Sequence, residues 1–480
     1  MTVSRRWGPV LGIVVLAALA VAGSSGRSTA GPRSIPGGVA LPVDSTAYVC
    51  PDVTGATASP AVLSVAGVRH LAASSLAVTS TPLTGSRAKP AALALRPVAR
   101  VQSTAASSGV VIAANGPGAG DVVADVRRLI PRGRNRGLFS TPCLAPGTDV
   151  WITGADGRVG FTDTLAVSNP GSTVANVTVT AWASTGRLVP PKLQAFTVAA
   201  GQTAVLPVAN YTPDAAFVSL HVHANSGRIT ADVLDRRING VQPAGIDWIP
   251  PTRPPATDVV VPGLPGGPGL RRLIVANPGA ADATVSLRLA TVSANFSPAG
   301  HPTLLVRAGH TAVVDLTTSL GARSGAVVLH SDVPVTAAVL SEATATGKLP
   351  DTQWLVASAG LTGPAALADN TPPFGNTVRV YLAAPAAAGQ VRISAVAGTK
   401  STTVDVPAGR TVTFDPVAAF GNDAFGPLLF TPVGSAPVYA SRMLYALGAH
   451  GPLNTAELPT LLPSATALPP VVEDPRAALP

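Results

Sequence analysis

Apolar and polar positions alternate one by one along much of the chain. Val177, Val179 and Ala181 alternate with Thr178, Thr180 and Trp182, and Val285, Leu287 and Leu289 alternate with Ser286, Arg288 and Ala290. A period of two sends successive side chains to opposite faces, so each stretch predicts a β-strand with one buried face. Strict alternation puts Trp182 outward with the threonines, where an exposed indole is a binding candidate for a sugar face or a protein partner. The competing reading is a ring covered by a bulge or a neighbouring loop. Ahead of each strand stands Asn-Pro-Gly, at 169–171 and 277–279. Proline suits the second position of a β-turn and glycine the third, where φ is positive in a type II turn, so the motif predicts a tight link between two strands.

The two stretches are copies of one unit, with Asn169 and Asn277 separated by 108 residues (277 − 169). Val198-Ala-Ala-Gly201-Gln-Thr203 returns as Val306-Arg-Ala-Gly309-His-Thr311 and again as Val406-Pro-Ala-Gly409-Arg-Thr411. "ITADVL" (229–234) returns as "VTAAVL" (335–340) and "VYASRML" (438–444), and the units close on "IDWIP" (246–250), "TQWLV" (352–356) and "TAELP" (455–459). A divergent first copy follows from "VVADVRR" (122–128) and from "TDVWIT" (148–153), which makes Trp151, Trp248 and Trp354 the expected ends of successive repeats. Repeats of about 100 residues are domains, because each is long enough to close its own core. Short strands with turn signals about every ten residues predict an all-β chain of tandem antiparallel β-sandwich domains, immunoglobulin or fibronectin-III-like, preceded by one N-terminal apolar helix. The expected boundaries are a signal peptide or membrane anchor at 1–30 and a flexible stalk at 31–44. A divergent β-domain with a disulfide follows at 45–155, then β-domains at 156–252, 258–360 and 370–463, and a disordered tail at 464–480.

Composition sharpens this picture. Charged residues are 12% of the chain, Glu occurs only at 342, 457 and 473, and Lys only at 89, 192, 348 and 400, so long helices laced with i,i+4 ion pairs are nearly excluded. The net charge of +9 comes from scattered arginines, and the one cluster, "RRLIPRGRNR" (127–136), reads as a solvated loop, so no nucleic-acid partner is expected. Arg5 and Arg6 precede the uncharged run "WGPVLGIVVLAALAVAG" (7–23), with Ala20-Val21-Ala22 as a cleavage site. The segment is a secretory signal, or a single anchor that contacts the membrane if it stays uncleaved; either places the rest outside the cytoplasm. Cys50 and Cys143 are the two cysteines, and in an oxidising compartment they read as one disulfide.

"AYVCPD" (47–52), "STPCLAPGTDVWITG" (140–154), "LAVSNPG", "LIVANPG" and the single N-terminal apolar segment together resemble a secreted or membrane-anchored actinobacterial family, domain-of-unknown-function family 5719. The resemblance covers nearly the whole chain after the stalk. It implies an extracytoplasmic place in the envelope, near membrane glycosyltransferases that build surface polysaccharide, and brings no activity and no catalytic residues.

The chemistry-bearing motifs are few. The sequence contains no G-x-S-x-G, H-E-x-x-H or P-loop, and its carboxylates fall mainly at turns, so no catalytic residues and no cofactor are expected. His221 and His223 are the candidates for a metal, because residues two apart on a strand share a face. His330 recurs at the His223 position without a partner two residues earlier, so structural or solvated histidines are the preferred reading and no metal is expected. The expected function is a non-catalytic cell-envelope protein, a scaffold or binding module for cell-surface polysaccharide or envelope-assembly proteins. The alternatives are a secreted hydrolase with a site at a domain junction, and a surface adhesin.

Overall fold

The computed structural model describes residues 40–51, 61–69, 76–95, 98–103, 109–375, 377–463 and 466–467. The N-terminal apolar segment, most of the stalk and most of the tail lie outside them. Among the described residues no helix is long and apolar enough to cross a membrane. The chain divides into two units: 43–464, and a second formed by 1–42 with 465–480. Within the second, Ala40–Leu41 pairs antiparallel with Thr466–Ala467, so the end of the stalk and the start of the tail form a short ladder.

The described residues of 43–464 are all-β, with antiparallel sheets and among them only short helices such as Thr317–Leu320 and Pro416–Phe420. One pattern of two sheets recurs four times. Its second copy has a first sheet in the order Asp149–Ala155, Val218–Ser226, Ala175–Ala183, Gly186–Leu188. Its second sheet runs Gln202–Pro207, Thr164–Asn169, Thr230–Asn239, Gln242–Ile249. The third copy keeps this order, but the single strand Gly325–Ala343 crosses from one sheet to the other and serves both. Alternating positions of the two sheets face a shared core, as with Val285, Leu287 and Leu289 against Leu273, Val275 and Val339. In the first copy the disulfide Cys50–Cys143, with Cα atoms 4.3 Å apart, ties Ser45–Cys50 of one sheet to the end of Gly137–Pro142 in the other.

The repeated Asn-Pro-Gly turn differs from its expected geometry, since neither Gly171 nor Gly279 takes a positive φ. The asparagine holds it instead. Asn169 Nδ2 donates to the carbonyls of Thr173 (2.7 Å) and Val198 (2.9 Å) while its Oδ1 accepts from Gly171 N (2.9 Å). Asn277 repeats this with Ala281 (2.8 Å), Val306 (3.0 Å) and Gly279 N (3.0 Å). A Cβ on either glycine would stand 3.0–3.1 Å from that Oδ1, which is why a residue without one follows the proline. Positive φ is needed elsewhere, at Gly201, Gly309 and Gly409 of the second repeated phrase (65°, 72° and 69°).

Trp151 does not end a repeat. It lies on Asp149–Ala155, which pairs with Val218–Ser226 of the following copy, while the last strand of the first copy is Gly137–Pro142. The four last strands, Gly137–Pro142, Gln242–Ile249, Asp351–Val356 and Gly451–Glu457, pack each against the next, and the fourth against the first. The four copies thus close into a ring. Apolar groups fill its seams: Phe139 with Ile246 and Trp248, Trp354 in the core of the second copy, Val260 and Ala326 with Ala383, and Ala66 and Val123 with Ala366.

The axis where these strands meet is polar and buried. Asp247 Oδ2 accepts from Trp354 N (2.9 Å) and its Oδ1 from Thr455 Oγ1 (3.2 Å). Asp351 Oδ2 accepts from Asn454 N (3.0 Å) and Leu138 N (3.2 Å). Both residues are fully buried, and burial pushes the Asp351 carboxyl up to about 8 and that of Asp247 well above the usual range. The basic cluster joins this interior in part. Arg136, only 1% exposed, donates to the carbonyls of Pro350 (2.9 Å) and Pro452 (2.6 Å), and Arg127 to that of Thr371, so the stretch expected as a solvated loop supplies structural cations.

Candidate functional site

The sequence's candidate residues converge on the outer face of the first sheet of the second copy. Val177, Val179 and Ala181 point into the core, as alternation requires, while Thr178 and Thr180 are half-buried on the opposite side. The register aligns Trp151 with His221, His221 with Thr180, and Ser219 with Trp182. Three rings therefore stack in a row. Trp151 lies 5.4 Å from Trp182 at 20° and 4.2 Å from His221 at 9°.

Trp182 occupies the expected face but is not exposed. Its relative exposure is 6%, Trp151 covers one side, and its indole N–H is buried without a hydrogen-bond partner. It offers no free ring face to a sugar. What opens to solvent is a cleft of about 470 Å³ lined by Trp151, Thr180, Trp182, Arg187 and His221, and by Pro255, Pro278, Gly279 and Pro334 of the third copy. Pro278 and Gly279 belong to the third copy's own Asn-Pro-Gly turn, so the motif that marks the repeat also forms a wall of the cleft. Arg187 is exposed.

Below His221 on the same face lies His223, and both rings reach Asp149. His221 Nε2 is 3.0 Å and His223 Nδ1 2.8 Å from the same Asp149 Oδ1. The His223 hydrogen bond holds the Asp149 carboxyl below its ordinary pKa, whereas burial lowers that of His221. Sequence reading finds the two histidines by their spacing but misses Asp149, which lies 72 residues before His221 and is brought beside it only by strand register. The third copy repeats half of the arrangement: His330 Nδ1 lies 2.8 Å from Asp258 Oδ1. Val328, paired with Val260, stands there where His221 stands opposite Trp151.

Cys50 and Cys143 are joined as expected, and a disulfide of this kind belongs to an oxidising, extracytoplasmic environment. No curated protein matches the chain. A family model does match, over residues 98–417, from within the first copy into the fourth, and on that match the chain belongs to the family of unknown function DUF5719.

Proposed function

We propose that this chain is a non-catalytic extracytoplasmic protein of the actinobacterial cell envelope, a scaffold or binding module for surface polysaccharide or for the proteins that assemble it. Its copies are sandwiches of immunoglobulin or fibronectin-III type, and the N-terminal apolar segment, cleaved or kept as an anchor, carries them across the membrane. The observation supporting this reading is the cleft between the second and third copies. Its volume of about 470 Å³ falls in the range of ligand sites. Prolines and stacked rings wall it, and such groups lose little conformational freedom when a ligand enters. Arg187 and Thr180 add donors suited to hydroxyl and carboxylate oxygens, which abound on envelope polysaccharides.

Retention of the purified protein on isolated cell-wall polysaccharide tests the reading. Wild type should be retained, and Arg187→Glu should reduce retention at least tenfold with an unchanged circular dichroism spectrum. Absence of wild-type retention rules out polysaccharide as the ligand. Equal retention by the variant moves the site away from the cleft.

A further inference from the structure

We infer that Asp149, His221 and His223 form a binding site for a divalent first-row transition metal, with zinc as the ion of choice. Two imidazoles and a carboxylate are the donors that zinc and its neighbours take, and three protein ligands with a fourth position open is a recurring arrangement. The three donor atoms lie within 4.8 Å of one another. A tetrahedral ion with bonds of about 2.0–2.1 Å holds its ligand atoms roughly 3.3 Å apart. The two Oδ1–nitrogen distances of 3.0 and 2.8 Å are already close to that, and the two ring nitrogens, within 4.8 Å of each other, need only draw together toward the same spacing.

Two features separate this triad from an ordinary cross-strand ion pair. The chain contains that ordinary pair in its third copy, where Asp258 and His330 meet at 2.8 Å and Val328 fills the position of His221. The second copy adds a histidine to the same frame and stacks it on Trp151 at 4.2 Å and 9°, which holds the plane of its ring while Nε2 points to Asp149. The site is also accessible, since the side chains of Asp149 and His223 are 48% and 42% exposed. This inference does not depend on what enters the neighbouring cleft.

Chelator-treated full-length protein, titrated with zinc chloride in a calorimeter, should take up one ion per chain at this site. Cobalt(II) in place of zinc should give visible absorption bands of a site with nitrogen ligands. His221→Val copies the third copy's pair and should weaken binding at least tenfold; His223→Ala, at a half-exposed position, should do the same with an unchanged melting temperature. His330→Ala should leave binding intact. Wild-type affinity no better than that of His221→Val and His223→Ala, or binding removed by His330→Ala instead, overturns the assignment.

Discussion

Asp351 offers a direct test of the buried polar axis, through its replacement by asparagine. The side chain is fully buried, and its Oδ2 accepts two backbone N–H groups, from Asn454 and Leu138, while Oδ1 has no partner. Burial pushes its pKa up to about 8, against an ordinary value of about 3.9. Because the folded value lies above the unfolded one, this residue's stabilisation is complete below about pH 4 and is lost as pH climbs toward 8. At 1.36 kcal/mol per unit, the step from pH 5 to pH 8 costs the wild type about 3–4 kcal/mol from this residue alone. Asparagine keeps a carbonyl oxygen for the two N–H groups and does not ionise. Asp351→Asn should thus lie within about 1 kcal/mol of wild type at pH 5, the difference of one buried polar hydrogen, and should exceed it at pH 8. Urea unfolding followed by tryptophan fluorescence at the two pH values measures this. A variant destabilised equally at both would falsify the neutral carboxyl and indicate an ionised Asp351 stabilised by Arg136.

Three further outcomes follow from the packing. Replacing both Cys50 and Cys143 with serine should cost about 4–5 kcal/mol on the chain-entropy estimate for a separation of 93 residues, read as a melting temperature of the variant below that of the oxidised wild type. Trp182→Ala should cost about 3–5 kcal/mol in urea unfolding because the ring is buried, whereas Trp182→Phe, which also removes an indole N–H without a partner, should cost clearly less; a negligible effect of alanine would restore the exposed reading. Asn169→Ala and Asn277→Ala each delete three hydrogen bonds to the backbone and should each lose about 2–4 kcal/mol by the same measurement, with equal effects if the two turns do the same job.

The strands and the repeat were legible because both leave local marks. A period of two and a phrase repeated at 108 residues need no knowledge of the partner strand, and the same alternation assigned Val177, Val179 and Ala181 to the core. The closure of the ring was not legible. It depends on contacts such as Leu138 N to Asp351 and Thr455 to Asp247, 213 and 208 residues apart, between the closing strands of different copies, and the repeat shows that these strands are equivalent without showing that they meet. The same cause hid the site. Trp182 was assigned its correct face, but its cover comes from Trp151 across the sheet, and Asp149 meets His221 only through strand pairing. "TDVWIT" echoes "IDWIP" in composition but occupies the opening strand of the next copy, so the echo alone puts Trp151 at the wrong end of a repeat.

The closed ring also constrains the order in which the molecule can be completed during vectorial synthesis or export. Thr455 and Asn454, partners of Asp247 and Asp351, both lie on Gly451–Glu457, the last of the four axial strands along the chain. In a chain emerging N-terminus first, that strand is the last of the four to appear. Until then Asp247 and Asp351 lack the hydrogen bonds that Thr455 and Asn454 give them in the closed ring. Docking of residues 451–457 completes the burial that raises both pKa values, so closure of the ring is favoured on the more acidic side of neutrality.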